Sequence, residues 1–155
     1  MIKIRINIIK TKLVIIDENI DLVKENIPSS LEEFEDLGLV KDGIYKRIES
    51  SIQEILNICS IINADLKLGI PSNRDDIIEA LKNKQVITNE LADKIKELKG
   101  FRNFLVHRYG ELNDKIAFED ITEGLADFKK FKGEILDFLQ KHEVKEKSFK
   151  LDGNK

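Results

Sequence analysis

Apolar residues along this chain recur at steps of three and four, and those steps divide it into helices. Ile2, Ile6, Ile9, Leu13, Ile16, Ile20, Val23 and Ile27 keep this rhythm without a break, the period of a single buried helix face. Ile2, Ile4, Ile6 and Ile8 also alternate as a strand would, but that alternation stops while the longer rhythm continues. A long first helix is therefore expected, ending near Pro28, whose ring disfavours helical geometry at the residue before it. Ser30, with Glu33 three positions later, has capping-box spacing and predicts a short helical turn. A second long helix is expected from about Leu37 to Lys67. Its inner stripe holds Val40, Ile44, Ile48, Ile52, Ile55, Cys59, Ile62 and Leu66, and Leu68-Gly69-Ile70-Pro71 closes it.

Ser72 or Asn73 is a suitable cap for a shorter helix carrying Ile77, Ile78 and Leu81. Thr88 caps the next, with Glu90 in the first turn, where the helix dipole favours an anion. This helix turns Leu91, Ile95, Leu98, Phe101 and Leu105 inward, and Gly110 marks its expected end. After Leu112-Asn113-Asp114 a last long helix is expected to about His142, with Phe118, Ile121, Leu125, Phe128, Ile135 and Phe138 inward. The pattern predicts an all-α protein: an antiparallel four-helix bundle with a short accessory helix. Residues 1–142 form the domain, and the charged segment 143–155 is expected to be a flexible tail.

At 155 residues, 41% hydrophobic and 35% charged, the chain suits one globular domain with a real core. A formal charge of −3 argues against coating nucleic acid by bulk electrostatics, though not against a local basic site. Cys59 is the only cysteine, which excludes an intramolecular disulfide and a Cys-based zinc site. It sits in the apolar run from Ile55 to Ile62 and reads as a small buried hydrophobe. The N-terminal apolar residues are repeatedly interrupted by Lys, Arg and Asn, and no stretch reaches bilayer length. A cytoplasmic protein without membrane association is expected. No metal-ligand cluster, phosphate-binding glycine loop or nucleophile elbow occurs, so no cofactor is implied.

One place breaks the hydrophobic pattern. Advancing about 100° per residue, Arg102 and Tyr109 fall on the line that Leu91 and Leu98 fill with hydrocarbon. A guanidinium there cannot shed its charge and needs a carboxylate, a solvated cleft or an anionic ligand. Asn103 and His107, four apart, are neighbours on an adjacent face, where the amide could orient the imidazole. Lys94, Lys96, Lys99, Arg102 and Arg108 outnumber Asp93 and Glu97 here, which suggests a discrete anion site. Structural alternatives stay open for each residue, and spacing alone leads no further than an anion-binding helical bundle.

The run Arg102-Asn103-x-x-x-His107-x-Tyr109 resembles the Arg-x4-His-x-Tyr signature of the HepT-like toxins, members of the HEPN superfamily of helical ribonucleases. Ser30-Leu31-Glu32-Glu33-Phe34-Glu35-Asp36 is similar to the segment leading into that family's second helix, and Phe101-Arg102-Asn103-Phe104-Leu105-Val106-His107 to its phrase around the site. The likeness spans roughly residues 3 to 141. It implies a metal-independent endoribonuclease toxin, a homodimer whose two motifs face one cleft, with RNA as substrate. It assigns catalysis to Arg102 and His107, with Asn103 and Arg108 in support. It further implies a minimal nucleotidyltransferase as antitoxin partner, silencing the toxin by transferring AMP to Tyr109. The low basicity keeps in view a non-catalytic nucleotide- or partner-binding module of the same fold, and the Ile-rich helices an assembly adaptor.

Overall fold

The computed structural model describes residues 3–153, with side chains for 3–73 and 75–143. Six α-helices follow one another: α1 (Ile6–Asn26), α2 (Leu31–Glu35), α3 (Leu39–Asp65), α4 (Arg74–Asn83), α5 (Asn89–His107) and α6 (Asp114–Gly153). A single 3-10 turn, Tyr109–Glu111, lies between α5 and α6.

Three of the expected caps are made. The Ser30 hydroxyl accepts from the Glu33 amide at 3.2 Å, Asn73 Oδ1 from the Asp76 amide at 3.0 Å, and Thr88 Oγ1 from the Leu91 amide at 3.1 Å. Each satisfies an amide that a helix start leaves without a partner. Thr88 does more, since its own amide and hydroxyl donate to Glu134 at 2.7 and 3.0 Å and pin the start of α5 to α6.

Cross-helix polar pairs fix the directions. Arg5 meets Asp65, Lys12 meets Glu54 and Asn19 meets Arg47, so α1 and α3 run antiparallel. Thr88 with Glu134 and Lys130 with Glu90 do the same for α5 and α6. Helices α1, α3, α5 and α6 each pack on the next and close the four-helix bundle, while α4 rests on α3 and α5 and α2 on α6. The expected stripes supply most of the core: Ile9, Leu13, Ile16 and Val23 from α1, Ile48, Ile52, Ile55, Cys59 and Ile62 from α3, Leu91 and Ile95 from α5, and Ile121, Phe128 and Ile135 from α6 are all buried. On α6 the inner line also takes Phe131 and Leu139, which the expected stripe omitted, while the expected Phe118, Leu125 and Phe138 are only partly buried. Each large aliphatic side chain withdrawn in this way favours folding by roughly 1.5–3 kcal/mol.

The structure departs from the sequence expectation at several ends. Helix α1 begins at Ile6, because the Arg5 amide and Nε both donate to Asp65 at 3.0 Å and hold residue 5 outside the helix; Ile2 lies outside the described residues. Gly38, at φ 63°, turns the chain through the left-handed region that glycine tolerates, so α3 starts at Leu39. That leaves Val40 46% exposed rather than inward. Two short helices, α2 and α4, flank the bundle instead of one. Helix α6 passes the expected end at His142 and continues to Gly153. The residues between contain no proline or glycine before Gly153, so nothing in them stops a helix already propagating.

Candidate functional site

The carboxyl end of α5 and the starts of α3 and α6 meet at one end of the bundle, and the motif residues lie there. Leu91 and Ile95 are fully buried on the inner stripe of α5, with Leu98 packed against the core below them. Arg102 follows on that line and is half-buried. Its Nε is buried with no hydrogen-bond partner, while Nη1 donates to Asn103 Oδ1 at 3.1 Å. No carboxylate partners it among the described residues. The guanidinium is therefore charged, partly desolvated and incompletely bonded, a costly state that an anionic ligand relieves.

Its basic neighbours are in a different condition. Lys99 Nζ lies 2.7 Å from Asp75, Lys96 is bound to Glu79, Lys94 lies 3.8 Å from Glu97, and Arg108 Nε is 2.9 Å from Glu111. The local excess of lysine and arginine counted in the sequence is thus largely neutralised in the fold. Asp75 and Glu79 of α4 reach across to α5, a pairing invisible in the local sequence count. What remains unmatched is Arg102 itself.

His107 is the last residue of α5 and is exposed. The expected bond between Asn103 and His107 is not made; the Asn103 amide oxygen instead accepts from Arg102 Nη1. Five helical residues separate Arg102 and His107 by about 7.5 Å along the axis and about 140° around it. Arg108 caps the helix with its guanidinium 5.7 Å over the Phe104 ring and its charge paired to Glu111.

Tyr109 does not continue the α5 stripe as predicted. Arg108 leaves helical geometry at φ −135°, so that α5 ends at His107, three residues before the expected end at Gly110, and Tyr109 opens the 3-10 turn. Its ring stands edge-on to Tyr45 at 5.7 Å and 85°, and is 42% exposed. The Tyr109 hydroxyl donates to Asp42 Oδ1 in the first turn of α3. Behind it, Tyr45 is buried and donates to Asp114 Oδ1 at 2.7 Å, while Lys41 Nζ donates to Asp114 Oδ2 at 2.8 Å. Burial first, then the bond to Asp42 and the charges of Asp42 and Asp114, push the Tyr109 phenol above its ordinary range. Burial and Asp114 do the same to Tyr45. Burial works to raise the Asp114 carboxyl, yet the bonds from Lys41 and Tyr45 and the Lys41 charge overcome it and hold that carboxyl low.

Sequence reasoning missed Lys41, Asp42, Tyr45 and Asp114. The one available signal was that the chain has only two tyrosines, and both stand here. Among the described residues no three His, Cys, Asp or Glu side chains gather as a metal-binding group, and no helix is long and apolar enough to cross a membrane.

The fold is an all-α bundle in which one helix ends in an unmatched arginine and an exposed histidine, with a clamped tyrosine in the turn that follows. The chain belongs to the ribonuclease HepT-like family, whose model matches residues 16–135. It is similar to the mRNA nuclease HepT of Shewanella oneidensis, at 32% identity over 59% of this chain and 69% of that protein. It is also similar to a putative RNase of Archaeoglobus fulgidus, at 28% identity over 81% of this chain and 94% of the other. Among solved structures, the tri-AMPylated Shewanella oneidensis HEPN toxin in complex with MNT antitoxin superposes with a TM-score of 0.76, at 28% identity, covering 84% of this chain and 97% of that one.

Proposed function

We propose that this protein is the ribonuclease toxin of a toxin–antitoxin pair, cutting RNA through the RNA's own 2′-hydroxyl with His107 and Arg102. The observation that carries this reading is the Arg102 guanidinium, half-buried with its Nε unbonded while the surrounding lysines are paired to carboxylates. A phosphate matches that guanidinium in charge, and a guanidinium can donate two parallel bonds to it and stabilise the charge that grows in the transition state. His107, exposed at the helix end, is the side chain placed to take or give a proton at the reacting oxygens. Phosphodiester cleavage by internal attack needs one group to take a proton from the 2′-oxygen and one to give a proton to the leaving 5′-oxygen. A second copy of the motif supplies the second group, so no metal is required.

Two features support a homodimer. Arg102 and His107 diverge around α5, so one chain alone presents half a site. Leu39 at 87%, Ile116 at 57% and Val106 at 40% exposure surround that end of the bundle, the sort of apolar rim that another protein surface covers. Because the chain as a whole is acidic, RNA binding is confined to the cleft and weakens with salt. The Shewanella relative's AMPylated state in complex with MNT antitoxin supports a nucleotidyltransferase as the partner of this chain and Tyr109 as the acceptor. The bound phosphates would pair with Arg102 and close the groove to RNA.

Purified protein should cleave single-stranded RNA in the presence of a metal chelator and leave 2′,3′-cyclic phosphate ends. His107→Ala should lower that rate on the order of 10²- to 10⁴-fold. Undiminished cleavage by His107→Ala removes His107 from the mechanism. Intact RNA with wild-type protein, combined with nucleotide binding that depends on Arg102, establishes a non-catalytic binding module instead.

A further inference from the structure

Adenylylation of a tyrosine leaves one requirement open. A phenol held protonated is a weak nucleophile, and the Tyr109 hydroxyl is held so by its surroundings. Some group must take its proton as the oxygen attacks. The candidates within reach differ sharply. Asp114 has both carboxylate oxygens occupied, one by Tyr45 and one by Lys41. Lys41 is spent on Asp114, and the guanidinium of Arg108 has no lone pair to offer and is paired with Glu111. Asp42 is the residue to which the Tyr109 hydroxyl already donates. It is exposed and has no ion-pair partner among the described residues, so a proton it accepts can pass directly to water.

We propose that Asp42 is the general base for AMP transfer to Tyr109, a role the toxin chain supplies to its own modification. The proposal rests on Tyr109 being the acceptor. As the phenolic oxygen attacks the α-phosphorus of a nucleoside triphosphate, a new O–P bond forms. The bond to the bridging oxygen breaks, and pyrophosphate departs with its electron pair. The phenolic proton moves along the existing hydrogen bond to the Asp42 carboxylate and then to solvent. A carboxylate accepting the proton of an attacking hydroxyl in phosphoryl transfer is well-founded chemistry. The edge-on Tyr45 ring, itself fixed by Asp114, keeps the phenol aimed at Asp42 while leaving 42% of Tyr109 open to an approaching enzyme. Once the ester is made, the oxygen has no proton to donate and a phosphate faces the carboxylate. The modified side chain is then repelled from Asp42, towards the arginines.

The test uses the full-length toxin, its cognate nucleotidyltransferase and ATP, with peptide mapping of the added AMP over time. Wild-type protein should be labelled on Tyr109. Asp42→Asn and Asp42→Ala should both slow labelling on the order of 100-fold or more, with helical content and unfolding midpoint checked to be unchanged. In both variants the residual rate should climb with pH, because the phenol must ionise unaided. Asparagine preserves shape and still accepts a hydrogen bond, so wild-type labelling in Asp42→Asn with slow labelling only in Asp42→Ala overturns the base and leaves a positioning contact. Labelling of wild-type protein at another residue overturns the acceptor assignment, and the Asp42 proposal with it. Tyr109 labelling that proceeds equally in both variants overturns the Asp42 proposal alone.

Discussion

The first half of α5 and its last two turns share one helix and treat their side chains in opposite ways. From Leu91 to Lys99 the inner positions hold buried hydrocarbon, and Lys94, Lys96 and Lys99 are each bound to a carboxylate. From Arg102 to His107 the same inner line holds a charge, one guanidinium nitrogen goes unbonded, and the helix ends on an exposed imidazole. The first region follows the rules that stabilise a bundle and the second departs from them. A stretch that sacrifices bonding where its neighbour completes it is where binding energy is held in reserve.

The comparison is most strongly tested by Arg102→Leu, which extends the hydrocarbon line of the first half into the second. It should reduce RNA cleavage on the order of 10²- to 10³-fold, yet the thermal unfolding midpoint should not fall, since a buried unbonded nitrogen is removed. A drop in midpoint alongside activity would make Arg102 a structural residue. Ile95→Ala makes the reverse change in the first half, where the side chain is fully buried. It should cost about 2–5 kcal/mol of stability in a denaturant titration, with cleavage per folded molecule preserved.

Acid probes the pairing of the first half. The bonds from Lys82 and Lys96, outweighing a small effect of burial, hold the Glu79 carboxyl down at about 2. A carboxyl depressed by folding stabilises above its unfolded range and loses that contribution as pH falls through its folded value. The tie between α4 and α5 should therefore loosen as pH drops from the ordinary carboxylate range towards 2, as faster hydrogen exchange in α4. Glu79→Gln should abolish this dependence. The smallest effect belongs to Lys99→Ala. Its charge is already matched by Asp75, so cleavage should stay within about twofold of wild type and stability should change by no more than about 1 kcal/mol.

Much of this was legible in the chain itself, because helix period, caps and the proline at 28 are local signals. Ser30, Asn73 and Thr88 cap as their spacing suggests, and Arg102 stood out because it interrupts a stripe. Other features depend on contacts between distant residues. Lys96 and Lys99 looked free until α4 folded over them, and Arg5 is kept out of α1 by Asp65, 60 positions away. The Tyr109–Asp42 bond spans 67 positions, and nothing beside Asp42 in the sequence distinguishes it from any first-turn aspartate. The ending of α5 at His107 rather than Gly110 was likewise unreadable, because the turn is stabilised from outside by Tyr45 and Asp42.

That same clamp limits how the protein could evolve free of control. On the proposed reading, a variant that loses the Tyr109 phenol also loses its bond to Asp42, which holds the turn two residues beyond His107. A lineage replacing the whole ring loses the Tyr45 contact as well. If AMP transfer to Tyr109 silences this chain as proposed, a variant that escapes by losing the ring would also loosen the turn beside His107, so escape and cleavage would be coupled.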